Sequence, residues 1–506
     1  MKQLTIALLS LFLLIGCGTE KNSMGSQSPS SLPSEGSNQE TASSSQKKPD
    51  TVTVFSVNDI HGSLERDRNE KELGISRLSY AIKHDKDYDS ETSIILSSGD
   101  SWQGGYLAYE DKSLTDALLG KRGVTARAIG NHEFDWGVDE IEALSKVSPY
   151  PYLGVNILDS EGNNPSFIKK STIVEKGGVK YGIIGAIDPT LTSSIKAGAR
   201  GGYSFSSDRN LIRSERNTLY EEGCDLVLLS AHADRKSEYI LSVGNTFASS
   251  QLNGIFGGHS HQFQNDKVGS HSLPYIQAGS NSKGYGKRTF SLKEKKVTDR
   301  QYVEPKEYLT LSKDLLETGI EELLEKADKD HPTSTLATFK DTFYRYKKLN
   351  SFVPSARLAY GKEEGISKEK SGRKALAIHN LAGIRSNIYK GPVSEKELFK
   401  FSPFDNLVLV SENVSGKDIR NCIGSDVGNH ATKYYCYLVE GGGSVKQDEN
   451  YDVISIDFVF TSDYWKSKNP YKNIKEDGSP IFIRDRYKEY FLSLGNNPTI
   501  SQDDYQ

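Results

Sequence analysis

Five short blocks of this 506-residue chain concentrate side chains able to bind a cation or move a proton. NDIHG carries Asp59 and His61, GDSWQGG carries Asp100, and GNHEFDWG carries Asn131, His132, Glu133 and Asp135. HAD carries His232, and GGHSH carries His259 and His261. One Asp or His after an apolar run is ordinarily a cap or a turn residue, but five such loops point to one shared site. The donors are carboxylate, imidazole and amide without thiolate, a set that suits Zn, Mn, Fe or Mg rather than an iron–sulfur cluster or a structural zinc knot. Side chains alternate along an extended chain, so the spacing D-x-H predicts Asp59 and His61 on one side of it, and H-x-H does the same for His259 and His261. Neighbouring glycines allow the turns that aim such pairs.

The elements that must position these loops are apolar runs. TVTVFSV, TSIILSS, CDLVLLSA and GIFGG each run into one of the polar blocks, and YLGVNI, KYGIIGAI and LPYIQAG add further strands. Alternation with helical stretches from Thr51 to about residue 300 predicts an α/β layered domain. In open α/β sheets the carboxyl ends of strands are where ligands bind, so the loops are expected to converge there.

The length exceeds one ordinary core and predicts two globular units. A charged fraction of 26% with formal net charge −4 gives no global basic field, so no nucleic-acid partner is expected. The N-terminal run LTIALLSLFLLIG is too short to span a bilayer and suits a signal peptide. It ends in LIGC, which resembles the lipobox of bacterial lipoproteins. Residues 1–16 are thus expected as a signal peptide, Cys17 as the lipid-bearing residue that ties the chain to the membrane, and residues 17–50, rich in Ser, Gln and Pro, as a tether. Cys224, Cys422 and Cys436 are too few for a disulfide scaffold; Cys224 is expected in the core, and a Cys422–Cys436 pair stays open.

The five blocks, in this chain order, resemble the motifs of calcineurin-like metallophosphoesterases, with spacing similar to the 5′-nucleotidase branch. That resemblance implies a four-layer sandwich, helices flanking two packed mixed sheets, over residues 51–305. A helical connector at 306–348 and a smaller α+β substrate-binding domain at 349–506 would follow. It also implies a two-metal site: Asp59, His61 and His261 on one ion, Asn131, His232 and His259 on the other, and Asp100 bridging them. His132 would be the catalytic group, charged and oriented by Asp135, with Glu133 fixing the loop and Trp136 packing. Two divalent ions about 3.5–4 Å apart can activate water at neutral pH and clamp a transferring phosphoryl group, which is why such chemistry needs these donors.

In the second half, ALAIHNLAGIRSNIYKG and ELFKFSPFDNLVLVSENVSGKDIR resemble the C-terminal domain of 5′-nucleotidases at Asn380, Gly383, Arg385, Pro403, Phe404 and Asn406. Leu381 and Ala382 depart from the small or glycine residues usual in that loop. The resemblance implies that Arg385 contacts substrate phosphate or ribose and that Asn380 hydrogen-bonds nearby. Phe404 would form one wall of a base-stacking clamp and Phe458 the other, with Tyr464 behind it and Arg345 as an upstream substrate-facing cation. The expected protein is an exported, lipid-anchored dimetal phosphohydrolase that converts nucleoside monophosphates to nucleoside and phosphate. A 2′,3′-cyclic nucleotide phosphodiesterase or UDP-sugar hydrolase is the alternative within the same chemistry. A surface lipoprotein that captures nucleotides or host ligands without turnover is the alternative outside it.

Overall fold

A computed structural model describes residues 48–505 apart from 197, 346, 348, 424–434, 462–464, 466–468 and 476–477. Two six-stranded sheets form the body of the N-terminal half. The first runs, edge to edge, Lys296–Val303, Tyr285–Ser291, Thr51–Val57, Ile94–Ser97, Val124–Ala128 and Tyr152–Leu153. The second runs Phe263–Val268, Leu273–Ala278, Gly254–Phe256, Leu226–His232, Val179–Ile187 and Ser171–Lys176. Both are mixed: Thr51–Val57, for example, pairs parallel with Ile94–Ser97 and antiparallel with Tyr285–Ser291.

The inner strands are continuous Val, Ile and Leu runs because both of their faces are covered, as in Leu226–His232, where every residue is buried. Val54, Leu96, Leu153, Ile183, Leu228 and Phe256 interleave between the two sheets. Helices cover the outer faces, one layer through Leu78, Ile82, Leu118 and Leu119, the other through Ile212, Leu219, Ile240 and Val243. The result is the expected order of helix, sheet, sheet and helix. It places the ends of Thr51–Val57, Ile94–Ser97, Leu226–His232 and Gly254–Phe256 beside one another.

The segment 306–348 is divided between the two halves. Its helix Thr318–Asp330 buries Ile320 and Ala327 in the N-terminal core, whereas its strand Thr335–Phe339 pairs with Gly391–Ser394 and Thr499–Ile500. The C-terminal half adds a five-stranded sheet ordered Tyr435–Val439, Lys374–Asn380, Asn450–Ile456, Val408–Ser415 and Lys472–Asn473, packed under the helix Leu349–Glu363. Cys224, Cys422 and Cys436 are all buried. No helix among the described residues is long and apolar enough to cross a membrane. Cys17 and Tyr464 lie outside the described residues.

One buried polar knot supports the loops that carry the site. Arg127 is fully buried at the end of Val124–Ala128, its guanidinium 4.4 Å from the ring centroid of Trp102 and 4.2 Å from that of Tyr152. Burial alone would discourage its charge, but Asp116, at 2.8 Å, overrides that and raises its pKa. Asp116 also accepts from Tyr150, Tyr152 and Trp102, so no acceptor capacity is wasted in the interior. Removing the cation strands a buried carboxylate. Arg127→Ala is expected to lower stability by about 3–5 kcal/mol, read from urea unfolding midpoints.

Candidate metal centre and substrate pocket

The five blocks meet, but not by the route their spacing suggests. Asp59 and His61 are not extended: both sit in the left-handed backbone region at φ 50°, as do Asp100 at 53°, His259 at 79° and His261 at 60°. Such a conformation costs a non-glycine residue roughly 1–2 kcal/mol. It turns successive side chains inward immediately after a strand ends, whereas an extended chain would carry every second one onward. Hydrogen bonds between loops hold the turns: the Asp59 amide donates to the Gly99 carbonyl at 2.9 Å, and the His61 amide to that of Asp100 at 3.0 Å. Gly130 is required by close approach, because a Cβ there would lie 2.3 Å from Oδ1 of Asp100.

Two donor clusters result, Asp59 with His61 and His261, and Asp100 with His232 and His259. Within each, the ligand atoms lie within 4.8 Å of one another. Oδ2 of Asp100 is 3.0 Å from Nε2 of His232 and 4.0 Å from Nε2 of His61, so this carboxylate stands between the clusters. Asn131 joins the second, its Oδ1 3.2 Å from Nε2 of His232.

The electrostatics fit divalent cations. Nδ1 of His61 donates to the Gln103 carbonyl at 2.9 Å, which leaves a lone pair on Nε2, and that atom faces Nε2 of His261 at 2.9 Å. Nδ1 of His232 likewise donates to the Ser98 carbonyl at 2.8 Å, so its Nε2 lone pair points at Asp100 and Asn131. Acceptors that face acceptors in a buried site repel until a cation stands among them. The titration shifts carry the same message. Burial, then Arg385, hold the His61 pKa well below normal, and burial with the same arginine lowers His261 to about 3. Burial and His232 lower His259 to about 4. Burial also raises Asp59. Of the four cluster imidazoles only His232 moves up, to about 10, because Asp100 outweighs its burial and draws a proton into the space between them.

Buried neighbours aim the ligands. Asn58 donates to Asp59 and to the Gly279 carbonyl at 2.7 Å while accepting from the Ala278 amide at 2.8 Å, and so ties the two sheets together directly beneath the cluster. The His259 amide reaches both carboxylate oxygens of Asp59, at 3.0 and 2.9 Å. Glu133, fully buried, accepts from the amides of Asp100 at 2.9 Å, Ser101 at 2.7 Å and Gly130 at 2.7 Å, and thereby clamps two site loops. Its neighbour Trp136 stacks on Trp102 at 5.5 Å and 2°. His132 donates from Nδ1 to Asp135 at 2.6 Å, and its ring stacks on Phe404 at 5.7 Å and 29°.

His132, Asp135, Asn380, Arg385, Phe404 and Phe458 all line one cavity of about 380 Å³. Asn131 and His259 open onto it, which connects it to the second donor cluster. The Arg385 guanidinium reaches Nε2 of His61 at 3.4 Å and lies 5.7 Å from the Phe404 centroid. Arg345 is placed differently: it lines a neighbouring cleft with His61 and His261 and donates to the Leu381 carbonyl at 3.3 Å.

Sequence reasoning passed over Gln103, Asn58 and Lys196. Gln103 accepts from His61 through its carbonyl, donates its side-chain amide to the Pro403 carbonyl at 2.7 Å and accepts from Trp136 at 2.8 Å, linking both halves. It and Asn58 lie inside the quoted blocks GDSWQGG and NDIHG, so their position was the available signal. Lys196 pairs with Asp457 at 2.6 Å on the cavity wall, and nothing in its sequence context marks it.

Fold and donor set together are consistent with the metallophosphoesterase-type domain that the sequence blocks imply. Residues 327–488 match the family model of the 5′-nucleotidase C-terminal domain. Endonuclease YhcR of Bacillus subtilis (strain 168) is 22% identical over 422 residues, covering 74% of this chain and 33% of that protein. A 5′-nucleotidase of Diplobatis ommata is 26% identical over 247 residues, covering 45% of this chain and 40% of that protein. The chain thus spans a third to two fifths of these curated relatives. A solved 5′-nucleotidase precursor from Thermus thermophilus superposes with a TM-score of 0.70 at 17% identity, covering 89% of this chain and 97% of that one, which is a likeness of fold. Residues 327–488 thus carry the family's C-terminal domain, and over 89% of its length the chain is similar in fold to a solved 5′-nucleotidase precursor.

The close approach at Gly130 gives a direct test of the centre. Gly130→Ala is expected to displace Asp100 and lower the divalent metal bound per chain at least twofold relative to wild type, measured by elemental analysis after dialysis.

Proposed function

We propose that this chain is a two-metal phosphoesterase that releases phosphate from nucleoside 5′-monophosphates. The observation that carries the reading is the place of His132. It stands beside the Asp100 cluster on one side and, through Phe404, beside a cavity sized for a nucleoside on the other.

Asp59, His61 and His261 would hold one divalent ion, Asn131, His232 and His259 the other, with Asp100 shared. When bound, the ions supply an activated water and a clamp on the phosphoryl oxygens. The chain's own residues do the rest. Asp135 fixes the ring of His132 through Nδ1, so that Nε2 is turned to the reacting group. Burial works against a charged imidazole there, but Asp135 and then Asp100 outweigh it and raise the pKa, so His132 keeps a proton to share with the developing charge or the departing oxygen. Arg385 supplies a forked cation beside the first cluster for the phosphoryl oxygens. Phe404 and Phe458 offer faces to a nucleobase, and Asn380 a hydrogen-bonding amide near it. Base stacking is sequence-tolerant and is worth about 1–3 kcal/mol.

The N-terminal apolar run, LIGC and the Ser-rich stretch support export with a lipid on Cys17, which would hold the enzyme at the outer face of a bacterial membrane, where it releases nucleoside from external nucleotides. Incorporation of labelled palmitate that is lost in Cys17→Ser is the expected outcome.

Phosphate release from AMP, GMP and UMP with Mn or Zn tests the activity. His132→Ala is expected to lower kcat by roughly 100- to 10,000-fold while both ions stay bound. Asp100→Ala is expected to lose metal and turnover together. Phe458→Ala is expected to raise KM about tenfold with kcat little changed, matching the loss of one stacking face. A His132→Ala variant that keeps its turnover but loses its metal would contradict these roles.

A further inference from the structure

Stacking on Phe404 and Phe458 would hold a base by its faces and does not choose among bases. Choice requires hydrogen-bonding groups at the edge of the ring, and most polar groups that line this cavity are already committed. Asp135 accepts from His132, Asp405 accepts from Tyr109 and pairs with Arg484, and the Gln103 side chain bridges Trp136 and the Pro403 carbonyl. Arg385 is turned toward His61. Asn380 carries both a donor and an acceptor and can serve either kind of edge.

Lys196 differs from all of these. It follows the turn Pro189–Ser194 at the end of the strand Val179–Ile187, in the first half of the chain, and lines the cavity with Ser193 and Ser194. Its ammonium pairs at 2.6 Å with Asp457 of the second half, and Asp457 immediately precedes Phe458, so the cation is fixed beside the Phe458 wall. The Asp457 side chain is only 7% exposed, and its other oxygen accepts from the Phe458 amide at 2.8 Å, so both of its oxygens are engaged. An ammonium has three hydrogens, of which Asp457 takes one. Lys196 has no second partner among the described residues, and with its side chain 43% exposed the other hydrogens stay open to an incoming acceptor.

We infer that Lys196 reads the edge of the nucleobase and makes the enzyme prefer bases that present an oxo group there, hypoxanthine and guanine through O6 and N7 and uracil through O4. The inference rests on the nucleotidase reading above and adds to it the class of base. An ammonium donates and cannot accept. Adenine and cytosine carry an amino group at the matching position, so an N–H would face an N–H inside a walled cavity, and each would forgo the partner it has in water. The aromatic wall and the group that reads the edge come from different halves of the chain, joined by the ion pair between Lys196 and Asp457.

The test uses the full chain with Mn and pairs of nucleotides that differ in that group, IMP with AMP and UMP with CMP, alongside ribose 5-phosphate, which has no base. The expected kcat/KM is about tenfold higher for IMP than for AMP, and for UMP than for CMP. Lys196→Met is expected to bring both ratios to within about twofold of unity, whereas Lys196→Arg, which keeps a donor and the pair with Asp457, is expected to hold them above about fivefold. Calorimetric binding of inosine and adenosine, which are not hydrolysed, is expected to show the same preference and its loss in Lys196→Met. Ratios at or below one in the wild type, or ratios that survive Lys196→Met, would overturn the inference. So would an equal loss on all four nucleotides in that variant, because Lys196 would then steady Phe458 and read nothing. Each of these results leaves the nucleotidase reading intact. Turnover of ribose 5-phosphate but of no nucleotide, or of nothing at all, overturns both.

Discussion

The structure is organised around a repulsion. Two carboxylates and four imidazoles lie within a few ångströms of one another in a largely buried pocket, several with lone pairs turned toward each other and with their backbones in the left-handed region. Neither burial nor strain favours this arrangement, since acceptors confined in a low dielectric without a cation cost free energy. Much of what surrounds the pocket serves to hold it in place. The sheets bring the strand ends together, Asn58 ties one sheet to the other beneath Asp59, and Glu133 gathers three amides from two loops.

The second half of the chain completes this centre. Gln103 supplies the carbonyl that sets the tautomer of His61 and, through its side chain, holds the loop that presents Phe404. Tyr109 donates to Asp405, and Arg484 pairs with the same carboxylate, on the same seam. The His132 ring is consequently confined between its acid partner Asp135 and an aromatic face from the other half. The donor clusters and the neighbouring cavity are thus built from the same small group of contacts. A change in the Phe404 loop is felt at His132, and one at Gln103 is felt in both halves.

The layered fold was readable because its strands are buried on both faces and so appear as unbroken apolar runs. The residues that gather at the centre were also readable, since polar blocks after such runs have few structural uses. How they gather was not. Spacing suggests extended pairs at D-x-H and H-x-H, but the left-handed turns come from tertiary hydrogen bonds to Gly99 and Asp100, which no local pattern encodes. The division of segment 306–348 escaped for a related reason: Ile320 and Thr335 look alike as amphipathic sequence, and only packing assigns the first to one core and the second to the other's sheet. Lys196 shows the limit most plainly, since an exposed lysine acquires meaning only when Asp457 arrives from 261 positions away in the sequence.

The claim on which the rest depends is that the opposed donors exist to hold two cations. Titration of the metal-stripped chain with Mn, followed by calorimetry and checked by elemental analysis, measures this directly. The account predicts two ions per wild-type chain, accompanied by a large rise in thermal stability as the repulsion is relieved. Binding of fewer than one ion, or saturation with no gain in stability, would contradict it.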